Sequence, residues 1–196
     1  MTAIFELTAV VLAALLSENF VLVTCMGIGT HVQSFRDPKE ALRTGHCLTA
    51  VMVLSTLCAW VLNRFILLPN RWDFFRLFFL ALLIPAIVFV LRRFLAFCVP
   101  ELSRRVDDNL SSISTNCAAL GCALLITQRS YGLTSALLFS LFGGIGATIA
   151  LGSFASLLQE ADLEHCPRSF RGFPIKFITA GLMAMALIGF YGLHLG

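Results

Sequence analysis

Six runs of mostly apolar residues, roughly 3 to 25, 45 to 68, 74 to 97, 110 to 127, 133 to 158 and 174 to 194, take up nearly all of the 196 residues. A transmembrane helix needs about 20 such residues, and too little chain is left between the runs for a soluble domain. Only 13% of the residues are charged, against about 25% in a typical soluble domain. The expected fold is therefore an all-α integral membrane protein, a single transmembrane domain over residues 1–196. The first run has no basic segment before it and carries Glu6 where a signal peptide would have positive charge, so it is expected to remain as the first helix.

The connections carry the charge and turn chemistry: SFRDPKEALR, LPNRWD, CVPELSRRVDD, TQRSYG and EADLEHCPRSFRG. On the side of the first, third and fifth lie Arg36, Lys39, Arg43, Arg92, Arg93, Arg104, Arg105, Arg168, Arg171 and Lys176, ten of the 14 lysines and arginines, leaving Arg64, Arg71, Arg76 and Arg129 on the opposite side. The positive-inside rule then predicts cytoplasmic loops one, three and five and both termini on the outer face. A net charge of +3, scattered among loops, makes no basic stripe and argues against nucleic acid as a partner; membrane lipids are the expected surroundings.

Six helices divide into three and three, and a three-helix unit repeated in one chain must return inverted. The expected repeats cover about 1–100 and 101–196. An echo supports them: TCMGIG at 24–29 and NCAALG at 116–121 both read Cys-x-x-x-Gly in the first helix of their half. Inverted repeats bring broken half-helices together at the membrane midplane, and irregular backbone is tolerated there only where protein or a cavity satisfies it. Gly27 and Gly29 in one half and Gly121 in the other permit close backbone approach.

Seven cysteines, most of them inside apolar runs, do not form the framework of a secreted disulfide scaffold. For Cys25 and Cys117, spacing leaves two readings. They are small packing residues beside helix-contact glycines, or they are thiolate ligands, in which case an iron–sulfur cluster's need for about four sulfurs requires another chain to complete the set. Cys122, five residues after Cys117, is turned away from it on a helix. Cys47, Cys58, Cys98 and Cys166 are assigned to packing or interface surface. Thr115 and Asn116 either bond to a cluster's surroundings or satisfy a broken helix backbone. Glu18 and Asn19 interrupt the first run, as members of a proton or sodium path or as a helix cap or interfacial groups. The four histidines share no metal-like spacing, and no phosphate loop, dinucleotide fingerprint or nucleophile elbow occurs. Bond chemistry on an organic substrate is therefore not expected of this chain by itself.

The segments ENFVLV at 18–23, STNCAALG at 114–121 and FRGFPIKFITAGLMAMALIGFYGL at 170–193 resemble the A subunit of the Rnf ion-translocating electron transport complex. The E subunit of the sodium-translocating NADH:quinone reductase shares that family. The resemblance implies a six-helix inverted-repeat subunit in a bacterial cytoplasmic membrane, paired with a homologous, oppositely oriented E-like subunit. The two would share an intramembrane [2Fe-2S] cluster, with two cysteines from each. It further implies a ferredoxin:NAD+ oxidoreductase complex with flavin-carrying, ferredoxin-type and NADH-binding subunits. Cys117 in TNCAALG matches the second-half ligand. Aligned without gaps from Asn19, the first-half ligand position falls on Gly29. Aligned on Cys-x-x-x-Gly it falls on Cys25, four residues or about one turn earlier and on the same helix face. The second register agrees with the internal echo and assigns Cys25. The alternative function is a small inverted-repeat permease, or a structural membrane subunit in which the cysteines only pack.

Overall fold

The computed structural model describes residues 38–70, 73–98, 117–129, 131–161 and 172–191. Five principal helices are found there: α1 (Pro38–Leu62), α2 (Arg76–Cys98), α3 (Cys117–Gln128), α4 (Leu133–Ala161) and α5 (Phe173–Tyr191). Three stretches, 38–67, 76–94 and 133–160, are long and apolar enough to cross a membrane, and two shorter apolar helices accompany them. The first expected helix, at 3 to 25, lies outside the described residues.

The expected connection SFRDPKEALR is corrected from Pro38 onward, because residues 38–44 are already helical in α1. The charges that suggest a loop point outward: Lys39, Glu40 and Arg43 are exposed, while Ala41, Thr44 and Gly45 are buried. At its far end α1 passes through a π-helical turn, Asn63–Leu67, where the Asn63 Oδ1 is buried without a hydrogen-bond partner. Pro85 lies within α2 on an exposed position, so its ring meets the surroundings rather than a neighbouring helix.

The most extensive helix pair is α1 with α4, and small residues govern it. A Cβ placed on Gly45 would lie 2.6 Å from the Thr148 Cγ2, and one placed on Gly144 would lie 2.6 Å from the Thr49 Cγ2. Leu42 meets Gly152, and the Trp60 Nε1–H donates to the Tyr131 carbonyl at 3.3 Å. Low numbers on α1 thus meet high numbers on α4 throughout, and the helices are antiparallel. Each contributes Gly-x-x-x-Thr to the crossing, and exchanging the helices exchanges one contact for the other. Lipid tails are as apolar as leucine, so close van der Waals approach over glycine is a main source of attraction between such helices.

The crossing hydroxyls are shared. The Thr49 Oγ1 lies 2.9 Å from the Gly45 carbonyl, the Thr148 Oγ1 2.8 Å from the Gly144 carbonyl, and the two hydroxyl oxygens are 3.2 Å apart. Two hydroxyls carry only two protons, so a bond across the interface is made at the expense of one within a helix. A double-mutant cycle with Thr49→Val and Thr148→Val, read by thermal unfolding in detergent, is therefore expected to give a coupling of about 0.6 kcal/mol or less; a coupling above about 1.7 kcal/mol would contradict this sharing.

Around this pair, Leu48, Met52, Ala118, Cys122 and Phe139 form the core, with Ile84 and Val88 of α2 against it. The outer faces are apolar as well. Phe89 on α2 is 72% exposed and Met185 on α5 71% exposed. Such faces suit hydrocarbon surroundings, whereas soluble proteins rarely expose contiguous apolar patches of this kind.

Candidate functional site

Cys117 belongs to α3. The helix is anchored by small residues: Ala118, Ala119, Gly121 and Cys122 are buried, which lets α3 lie close to α1. Cys117 is exposed and Cys122, five residues on, is buried, as helical spacing implies; Gly121, expected beside Cys117, is buried as well.

Cys122 has a different environment. Its sulfur lies 3.9 Å from the Thr56 hydroxyl, and both residues are fully buried. Cys47 is half-buried and packs against the main core, and Cys58 is half-buried too. All four cysteines named here carry thiols rather than disulfides.

Cys25, Gly27, Gly29, Glu18, Asn19, Thr115 and Asn116 lie outside the described residues. Among the described residues, no three His, Cys, Asp or Glu side chains converge as a metal site. Cys117 presents one exposed sulfur donor of the kind a [2Fe-2S] cluster uses. One donor fits a shared site and not a complete one.

Sequence reasoning missed the paired Gly45-x-x-x-Thr49 and Gly144-x-x-x-Thr148, although each Thr and each Gly recurs at the same separation of 99 residues. The signal was available as a second echo between the halves, this time in the second helix of each. It is more informative than the cysteine echo about helix pairing, because its members touch.

Apolar helices of spanning length and an antiparallel crossing made through glycine define an all-helical membrane protein that crosses the bilayer more than once. The chain belongs to the Rnf-Nqr family: the family's profile, described as "Rnf-Nqr subunit, membrane protein", matches residues 7–194. Similar proteins are named as the A subunit of an "Ion-translocating oxidoreductase complex". One from Syntrophotalea carbinolica is 36% identical over 188 residues, covering 96% of this chain and 97% of the relative. One from Cereibacter sphaeroides is 36% identical over 184 residues, covering 94% and 95%. One from Pectobacterium atrosepticum is 32% identical over 188 residues, covering 96% and 97%.

Proposed function

We propose that the chain is a membrane electron-transfer subunit of an Rnf-type, ion-translocating ferredoxin:NAD+ oxidoreductase complex in the bacterial cytoplasmic membrane. The observation that carries the proposal is full-length family membership, residues 7–194, together with relatives named as the A subunit of an ion-translocating oxidoreductase complex at up to 36% identity. The exposure of Cys117 supports its use as a ligand rather than as packing.

In this proposal Cys25 and Cys117 supply two sulfurs of a [2Fe-2S] cluster, and a homologous, oppositely oriented subunit supplies the other two. When bound, the cluster takes up and releases one electron at a time. The residues of this chain hold and insulate that site. Ala118, Ala119 and Gly121 fix α3, and with it Cys117, against the core. Gly27, Gly29, Thr115 and Asn116 are assigned to the surrounding backbone and hydrogen bonds, and Glu18 and Asn19 to the ion path.

The exchange relation between Gly45–Thr148 and Gly144–Thr49 supports a pair of inverted three-helix repeats, because an axis in the membrane plane makes equivalent helices antiparallel. Flavin-, ferredoxin-type and NADH-binding subunits are the expected partners in the complex.

The test is iron and acid-labile sulfide analysis with EPR on this chain co-purified with its homologous partner. The pair is expected to give a [2Fe-2S] spectrum that neither protein gives by itself. A pair that assembles without iron would overturn the proposal.

A further inference from the structure

A groove of about 780 Å3 runs along the outer side of the α1–α4 crossing, lined on α1 from Leu42 through His46 and Val53 to Leu57, and on α4 by Leu141 and Ile145. Leu91 of α2 lines it as well. From Leu42 to Leu57 is about 22 Å at a helical rise of 1.5 Å per residue, longer than the roughly 15 Å of hydrocarbon in one leaflet.

The lining is almost wholly apolar, as an acyl chain requires. Apart from the ring of His46, whose Nδ1–H donates to the Leu42 carbonyl at 2.7 Å, the polar side chains along it are the crossing hydroxyls of Thr49 and Thr148.

One mouth of the groove is basic. At 100° per residue, Lys39 falls within about 20° of His46 around α1 and Arg43 within about 60°, so both stand over the groove's end. Both are exposed. The acids on these helices are placed less favourably. Glu40 is turned about 120° from His46. Glu160 belongs to the last turn of α4, and in the crossing register it stands about 9 Å beyond the level of Lys39.

We propose that this groove is a binding site for an anionic phospholipid, with one acyl chain lying between α1 and α4 and the phosphate at Lys39 and Arg43. Basic pockets between membrane helices on the cytoplasmic side are suited to anionic headgroups, and the basic loops place this mouth on that side. The site is separate from Cys117 and is independent of any cluster.

The test is native mass spectrometry of the detergent-purified complex after incubation with dioleoylphosphatidylglycerol or, separately, dioleoylphosphatidylcholine. The wild-type complex should retain the phosphatidylglycerol at least tenfold better than the phosphatidylcholine. Lys39→Gln with Arg43→Gln should lower retention at least tenfold, and Ala50→Trp, which fills the groove and leaves every charge in place, should do the same. Arg64→Gln, at the other end of the helix, should leave it unchanged. Should Ala50→Trp not give an assembled complex, Val53→Phe serves in its place.

Equal retention of the two lipids would overturn the proposal. So would loss with the charge variant alone, since that outcome describes an anion site without a chain in the groove. Release of a protein component by Ala50→Trp with lipid retention intact would show the groove to be a protein interface, and would overturn it as well.

Discussion

Replacing Cys117 with alanine in the assembled complex is expected to abolish the EPR signal of the shared cluster and to lower the iron content by about two atoms per complex, while the subunits still co-purify. The expectation of intact assembly comes from exposure: Cys117 stands outside the packed face of α3, so its sulfur contributes little to the core. Cys122→Ala supplies the contrast. Its sulfur is buried against the Thr56 hydroxyl, so the loss should appear as stability, about 1 kcal/mol, with the iron signal unchanged. A packing role for both cysteines predicts the same loss of stability for Cys122→Ala but leaves the iron signal intact in Cys117→Ala. The two variants together separate ligand from filler within one helix.

Gly144→Leu is expected to produce the largest loss of stability. The first atom added would sit 2.6 Å from the Thr49 Cγ2 and 2.9 Å from the Thr49 Cα. A rotamer change could relieve the first contact, but the second is with backbone, so the helices themselves must separate. Overpacking of this kind costs about 3 kcal/mol or more, and separation also weakens the hydroxyl contact between Thr49 and Thr148. Gly45→Leu should behave alike, since its added Cβ meets the Thr148 Cα at 2.8 Å. Gly181→Leu is the control: nothing lies within 4 Å of its added Cβ, and an effect within about 0.5 kcal/mol is expected. Thermal unfolding of the detergent-purified complex measures all three. A Gly144→Leu protein that melts with the wild type would show that the close crossing is not what joins α1 to α4.

Much of the architecture was legible because membrane helices announce themselves by length and apolarity. The spans near 45 to 68, 74 to 97, 133 to 158 and 174 to 194 correspond to helices in the fold. The error at the start of α1 has a physical cause. Lys39, Glu40 and Arg43 made SFRDPKEALR resemble a loop, yet a helix end near the interface keeps such charges on its outer side while Ala41 and Gly45 face inward. Charge density alone does not separate an interfacial helical turn from a loop; the three-to-four-residue spacing of the small residues does. The opposite orientations of Cys117 and Cys122 were legible for the same reason, since five residues on a helix turn a side chain well away from its starting direction.

The amino-acid sequence by itself determined the solvent this chain is built for, the approximate helices and the cysteines available as ligands, because each depends on local composition and spacing. Only the tertiary structure decided that α1 meets α4, that they meet antiparallel through reciprocal Gly-x-x-x-Thr contacts, and that a groove opens beside that crossing. The reason lies in the hydrocarbon. Where every helix is apolar, hydrophobicity does not sort partners, and the choice falls to the fit of Gly45 against Thr148 and of Gly144 against Thr49, residues far apart in the chain, which no local pattern specifies.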